Sequence, residues 1–120
     1  MLITGLVVEG KGLGRRLGYP TANLLPAATI PSGVYLVRVA TPLGDFDGVL
    51  AQGNETEVHL LHFSGNLYGK ELAVEVGERL SDMISWNTHE ELQAKIERDI
   101  LQANYVLRHR QGRGGDRPST

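Results

Sequence analysis

The segment Glu71-Leu-Ala-Val-Glu-Val76 alternates between large apolar side chains and small or charged ones. The large apolar residues occupy every second position: Leu72, Val74 and Val76. Successive side chains of a β-strand point to opposite faces of the sheet, so this pattern predicts a strand with one buried face. The segment therefore favours a β-sheet protein.

Similar short segments, separated by turn residues, precede it along the chain. They span residues 2–8, 33–40, 48–51 and 56–63. Residues 41–48 contain proline, glycine and aspartate, which is typical of a hairpin turn. Short strands at this spacing predict a mainly β fold, and more specifically a closed antiparallel barrel.

The spacing of apolar residues changes after residue 77. Thr88 and Glu91 have the spacing of a capping box, in which the threonine accepts from the backbone and the glutamate reaches back. Apolar residues then recur at helical spacing: Leu92, Ile96, Ile100, Ala103 and Leu107. This pattern predicts an amphipathic helix that packs on the barrel as a lid or plug. We expect one domain over residues 1–107 and a disordered, arginine- and glycine-rich tail over residues 108–120.

The composition excludes several classes of protein. The chain has 120 residues, a formal net charge of −2 and no cysteine. Without cysteine there is neither a disulfide framework nor a thiol nucleophile, and no apolar run is long enough for a membrane helix. We therefore expect a cytoplasmic protein without a membrane partner. A small closed barrel with one helix is also expected to be a monomer.

The stretch Gly10-Lys-Gly-Leu-Gly-Arg-Arg-Leu-Gly-Tyr-Pro-Thr-Ala-Asn23 has the features of an anion-binding loop. Its glycines allow backbone amides to turn toward an anion, and its cations lie on the same loop. Thr21 and Asn23 add uncharged oxygen atoms of the kind that Mg²⁺ accepts. Together these features indicate a site for a nucleotide phosphate chain and its metal. The alternative is a flexible solvated connection, in which Pro20 only sets a turn.

Glu57 is the second candidate for a functional residue. It begins a largely apolar segment, and one face of the expected strand carries Glu57, His59, Leu61 and Phe63. A carboxylate beside such a strand needs a cationic partner or a chemical task, and an ion pair with a nearby arginine is the structural alternative. His59 and His62 point to opposite faces of a regular strand, so we do not expect them to share a metal ion.

Several motifs, in this order, resemble those of riboflavin kinases. They are the glycine-rich stretch that runs into Pro20-Thr-Ala-Asn23, then Pro31-Ser-Gly-Val-Tyr35, Gly48-Val49, Glu57-Val-His-Leu-Leu61 and Asn66-Leu-Tyr-Gly69. The likeness continues through the helix and covers about residues 5–107. It implies a closed six-stranded antiparallel Greek-key barrel with a C-terminal helix. It also implies phosphoryl transfer from Mg-ATP to the ribityl 5′-hydroxyl of riboflavin, which gives FMN.

The resemblance implies roles for the matching positions. Glu57 corresponds to the catalytic carboxylate, while Thr21 and Asn23 correspond to residues that contact the metal and the phosphates. Residues 10–18 would cover the nucleotide phosphates, and Arg79 lies in the region that approaches the flavin. The implied binding residues are Gly10, Lys11, Gly12, Gly14, Arg15, Arg16, Gly18, Pro20, Thr21, Asn23 and Arg79. The implied metal is Mg²⁺, with ATP as co-substrate and riboflavin as substrate.

The chain also departs from the family pattern. Residues 48–57 form a connection that is shorter than the one usual in the family. Ser81 stands where the family has an arginine, and Trp86 stands where it usually has a phenylalanine. The likeness includes no adenylyltransferase domain, so we expect synthesis to stop at FMN. The alternatives are a non-catalytic flavin- or nucleotide-binding regulatory domain and, less favoured, a nucleic-acid-binding barrel that uses the arginine tail. Glu57 favours the kinase over the binding domain, because a binding domain does not need a catalytic carboxylate. We do not expect a nucleic-acid partner.

Overall fold

The computed structural model describes residues 1–10 and 18–116. The strands are β1 (Leu2–Val8), β2 (Ala22–Leu25), β3 (Gly33–Thr41), β4 (Gly44–Gln52), β5 (Thr56–Leu60) and β6 (Glu71–Ser81). The helix α1 spans His89–Asp116. Among the described residues, no helix combines the length and the apolar character that crossing a membrane requires.

The six strands close into an antiparallel barrel, which confirms the predicted fold class. Neighbours around the barrel follow the order β1-β2-β5-β4-β3-β6, and β1 pairs with β6 to close it. This order differs from the chain order because β2 pairs with β5 and β3 pairs with β6. Residues from distant parts of the sequence therefore meet where β2 and β5 pair.

Alternate residues of each strand fill the barrel interior. The alternation predicted for β6 is confirmed, because Leu72 and Val74 are both 0 % exposed. The other buried side chains of this core are Val7, Leu24, Tyr35, Val37, Val39, Leu50, Val58, Leu60 and Leu67. Phe46 and Phe63 pack against it in an edge-to-face pair, with ring centroids 4.9 Å apart.

Four strands differ from the sequence-based expectation. β4 begins at Gly44, inside the expected turn over residues 41–48, and β6 continues past residue 76 to Ser81. The sequence pattern does not predict β2, whose four residues are too few to show alternation. The strand expected over residues 56–63 ends at Leu60, and His62 takes a left-handed conformation with a φ of 56°. Glu57 and His59 share one face of β5 as expected, whereas the expected continuation to Phe63 is wrong.

Helix α1 begins at the predicted Thr88 cap, although the Glu91 carboxylate reaches back to the backbone of Asn87 and not to that of Thr88. Thr88 Oγ1 accepts the backbone N–H of Glu91 at 3.1 Å, and the Glu91 carboxylate accepts the backbone N–H of Asn87 at 2.7 Å. The apolar stripe packs on the outer face of the barrel, against β4 and β6, and does not plug its interior. This second core contains Val34, Leu36, Val49, Leu61 and Ala103, with Ile100, Val106 and Leu107 packed against it.

The helix extends beyond the end of its apolar stripe. It continues past Leu107 to Asp116, into the segment that the sequence predicts to be disordered. Residues 117–120 of that segment lie outside the described residues. The division into a domain over 1–107 and a tail over 108–120 stays a prediction.

A buried polar cluster joins α1 to the end of β6. Lys95 and Asp99 form an ion pair with Nζ and Oδ2 2.5 Å apart, and each side chain is only 10 % exposed. Lys95 Nζ also donates to Ser81 Oγ at 2.8 Å, and Ser81 Oγ donates to Asp99 Oδ1 at 2.7 Å. The helix therefore supplies a cation beside Ser81, where the resemblance to riboflavin kinases predicts an arginine.

Lys95→Ala is expected to lower the free energy of unfolding by about 3 kcal/mol, because it leaves the Asp99 carboxylate buried without a cation. The matched control is Arg98→Ala, at an exposed position of the same helix, which should cost less than about 0.5 kcal/mol. Urea unfolding followed by circular dichroism measures both losses. Equal losses for the two variants would contradict a stabilising role for the buried pair.

Candidate functional site

The pairing of β2 with β5 brings the two candidate motifs together. Asn23 lies directly opposite Glu57 in the strand register. The adjacent pair, Ala22 and Val58, faces the barrel interior, so the side chains of Asn23 and Glu57 lie on the outer face. Thr21 joins them, because its Oγ1 donates a hydrogen bond to Glu57 Oε1 at 3.1 Å. A threonine, an asparagine and a carboxylate thus form one group.

The backbone before Thr21 is held by β5 and α1. His59 Nδ1 donates to the Pro20 carbonyl at 2.7 Å, and this nitrogen must carry the proton because a carbonyl only accepts. Tyr19 donates its hydroxyl to Glu97 Oε2 at 2.8 Å, and its ring meets the His59 ring edge-on. The hydrogen bond to Glu97 raises the pKa of Tyr19 above its usual value, so the hydroxyl stays a donor. These contacts fix the direction in which the chain enters β2.

Gly10 and Glu55 enclose the side chain of Asn23. A Cβ at Gly10 would overlap the side-chain oxygen of Asn23, so this close approach requires glycine. On the other side, Asn23 Nδ2 donates to Glu55 Oε1 at 3.2 Å. Asn23 is consequently only 9 % exposed.

A cavity of about 860 Å³ opens beside Thr21 and Asn23. Its walls come from the end of β1, the start of β2, Val58 and Leu60 of β5, and the loop over residues 63–68. Small-molecule sites typically have volumes of about 300–1,000 Å³, so the cavity has the size of a ligand site. Glu57 does not line the cavity, but it is hydrogen-bonded to Thr21, which does. The carboxylate therefore lies at the cavity margin.

The oxygen atoms at this margin suit a hard cation. They come from the Thr21 hydroxyl, the Asn23 amide and the carboxylates of Glu55 and Glu57. Mg²⁺ binds oxygen ligands, usually through one or two protein groups together with waters and substrate phosphates. The residues present therefore fit the metal that the resemblance implies.

Arg79 lies outside this group. It pairs with Tyr35 across β3 and β6, and its guanidinium donates to the Ser32 carbonyl at 3.0 Å and to Asp82 at 2.8 Å. The hydrogen bond to Asp82 raises the pKa of Arg79 above its usual range, so the side chain is a permanent cation. Gly33 leaves room for the guanidinium, because a Cβ there would contact its nitrogen atoms. Arg79 does not line the cavity beside Thr21.

The structure thus brings together five of the residues expected to act: Gly10, Pro20, Thr21, Asn23 and Glu57. Gly18 is exposed and has a φ of 92°. The other expected loop residues lie outside the described residues: Lys11, Gly12, Gly14, Arg15 and Arg16. Glu55 belongs to this group but is not among the expected residues. It precedes β5, and its position two residues before Glu57 is the only signal for it in the sequence.

Comparison with known proteins identifies the family. The family model described as flavokinase, riboflavin kinase, matches residues 1–107. This chain belongs to the riboflavin kinase family. The bifunctional riboflavin kinase/FMN adenylyltransferase of Haemophilus influenzae is 36% identical over 110 residues, which are 82% of this chain and 36% of that protein. The protein of the same name from Escherichia coli K12 is 34% identical over 113 residues, 84% of this chain and 36% of the relative. The chain therefore spans little more than a third of the length of these relatives.

Solved structures share the architecture. A protein from Streptococcus pneumoniae described as a macrolide-efflux protein matches with a TM-score of 0.78 and 29% identity, over 86% of this chain and 38% of the other. The riboflavin kinase of Trypanosoma brucei matches with a TM-score of 0.61 and 19% identity, over 92% of this chain and 81% of the other. At that identity, the second likeness supports the fold alone.

Gly10→Ala is expected to destabilise the protein by about 1–3 kcal/mol, because the added methyl group overlaps the Asn23 side chain. In an Asn23→Ala background the space is open, so the same change should cost less. A double-mutant cycle of unfolding free energies measures this difference. If Gly10→Ala costs the same in both backgrounds, the two residues do not contact each other.

Proposed function

We propose that this chain transfers the terminal phosphoryl group of Mg-ATP to the ribityl 5′-hydroxyl of riboflavin, which gives FMN. The observation that carries the proposal is the 3.1 Å hydrogen bond from Thr21 Oγ1 to Glu57 Oε1. It joins a residue of the cavity wall to a carboxylate at the cavity margin. Phosphoryl transfer needs such an arrangement, because the phosphate must lie beside a group that receives the proton of the attacking hydroxyl.

ATP would occupy the cavity of about 860 Å³. Its phosphates would lie near Gly10, Thr21 and Asn23, which line the cavity and include two uncharged side-chain oxygen atoms. The glycine-rich loop over residues 10–18 would cover them, and its lysine and arginines would neutralise part of their charge. The nucleoside would then lie toward residues 63–68, which form another wall of the cavity.

Thr21 and Asn23 are the proposed metal-binding residues. The hydroxyl oxygen of Thr21 has a lone pair for a cation while its proton is donated to Glu57. Asn23 offers its side-chain oxygen, which lies on the Gly10 side of the residue. When bound, Mg²⁺ supplies charge neutralisation for the phosphates. The two side chains would thereby position the phosphate chain next to the attacking hydroxyl.

Glu57 is the proposed catalytic base. The 5′ oxygen of riboflavin forms a bond to the terminal phosphorus while the bond from that phosphorus to the bridging oxygen breaks, and ADP leaves. The hydroxyl proton passes to the Glu57 carboxylate. Glu57 is suited to this task because its strand is paired on both sides, with Asn23 on β2 and Ala51 on β4. A residue in the middle of three paired strands keeps a fixed position relative to the substrate.

Riboflavin would approach Glu57 from the side away from the nucleotide. Arg79 is the proposed flavin-side residue, as a fixed cation held by Ser32 and Asp82 at the end of β6. We also propose that the protein acts as a monomer in the cytoplasm.

Glu57→Gln is expected to lower kcat at least about 100-fold, because an amide cannot take the hydroxyl proton. The side chain keeps its shape, so KM for riboflavin and for Mg-ATP should change less than about threefold. Chromatographic detection of FMN measures turnover, and titration calorimetry with Mg-ADP measures binding separately.

Glu78→Gln is the matched control for this experiment. Glu78 is an exposed carboxylate of β6 that does not line the cavity, so its amide should retain full turnover. If the unaltered chain binds riboflavin and Mg-ADP without forming FMN, the proposal is wrong, and the non-catalytic binding domain becomes the better account.

Thr21→Val is expected to raise the dissociation constant of Mg-ADP about 10-fold, because the side chain keeps its shape but loses the oxygen atom. Thr21→Ser retains the hydroxyl and is the matched control, with binding expected within about threefold of the unaltered chain. Titration calorimetry with and without Mg²⁺ measures both. Equal affinities of the valine and serine variants would exclude Thr21 as a metal-binding residue.

A further inference from the structure

Glu55 lies beside the proposed metal-binding residues, yet the proposed reaction does not use it. It precedes β5 in a tight turn, in which the backbone N–H of Gly53 donates to the Glu55 carbonyl at 3.0 Å. Its carboxylate oxygen Oε1 accepts a hydrogen bond from Asn23 Nδ2 at 3.2 Å. The abbreviated connection before Glu57 thus puts a second carboxylate directly against the Asn23 amide.

The chemistry of this pair fixes the orientation of the amide. A carboxylate only accepts hydrogen bonds, so the nitrogen of Asn23 must face Glu55 and the oxygen must face away from it. The position of Gly10 agrees, because a Cβ there would meet the Asn23 oxygen before any other atom of that residue. Gly10 lines the cavity. The Asn23 oxygen therefore faces the wall at which the ATP phosphates are proposed to lie.

We infer that Glu55 is a positioning residue that holds the Asn23 amide with its oxygen toward the metal and its nitrogen away from it. The inference rests on the proposed function, because it needs Asn23 to bind the cation of Mg-ATP. An amide that rotates freely also presents its NH₂ group, whose partial positive charge repels a cation. Glu55 removes that orientation. Groups that orient metal ligands in this way typically change metal affinity by about 10–100-fold when they are removed.

This role differs from that of Glu57. Glu57 accepts from the Thr21 hydroxyl and is proposed to receive a proton, whereas Glu55 acts through Asn23. A change at Glu55 should therefore alter the metal-dependent part of nucleotide binding. Turnover at saturating Mg-ATP should stay close to that of the unaltered chain.

Three variants separate orientation from charge. Glu55→Ala removes the acceptor, Glu55→Gln keeps an acceptor oxygen without the charge, and Asn54→Ala changes an exposed neighbour in the same turn. Titration calorimetry with ADP, with and without Mg²⁺, measures binding by each folded variant. Glu55→Ala is expected to weaken Mg-ADP binding about 10-fold and to leave metal-free ADP binding unchanged. The other two variants should bind Mg-ADP within about threefold of the unaltered chain.

Other results would overturn the inference. If Glu55→Ala binds Mg-ADP as tightly as the unaltered chain, Asn23 needs no partner to face the metal. If Glu55→Gln loses as much affinity as Glu55→Ala, the charge of Glu55 matters and the orientation of the amide does not. Failure of the unaltered chain to make FMN would instead count against the proposed function, so the two failures are distinguishable.

Discussion

The candidate site depends on the pairing of β2 with β5. Backbone hydrogen bonds between these strands set Asn23 against Glu57, and Thr21 joins them through its hydroxyl. Because side chains alternate along a strand, a slip of one residue would turn Asn23 into the interior and expose Leu24, which is part of the core. Burial of Leu24 therefore stabilises the strand register on which the site depends. One strand register specifies both the core and the polar group outside it.

The helix α1 connects the stability of the barrel with the arrangement of the site. Its apolar stripe covers the outer face of the barrel against β4 and β6. Its polar residues reach further, since Glu97 accepts from Tyr19 just before β2 and Lys95 holds Ser81 at the end of β6. The first contact fixes the end of the glycine-rich loop. The second fixes the strand that carries Arg79, so one element supports both of the proposed substrate regions.

Local sequence patterns predict most of the elements but not the site. The alternation over residues 71–76 predicts a half-buried strand, and the structure confirms it. The four residues of β2 are too few for such a pattern, so the register of Asn23 with Glu57 comes only from the folded barrel. The contacts of Glu55 and Lys95 have the same origin. Asn23 is 32 residues from Glu55 and Ser81 is 14 residues from Lys95, so no periodicity of the sequence relates these partners. The ion pair of Lys95 with Asp99 differs, because it has the i,i+4 spacing of a helix.

A crystal structure with Mg²⁺, ADP and riboflavin bound tests most directly whether Thr21 and Glu57 serve one transferred phosphate. We expect the metal at about 2.1 Å from oxygen atoms of Thr21 and Asn23. We expect the ribityl 5′ oxygen within about 3.2 Å of the Glu57 carboxylate. A metal bound by other residues, or a ribityl chain that ends beyond the reach of Glu57, would contradict the proposed phosphoryl transfer.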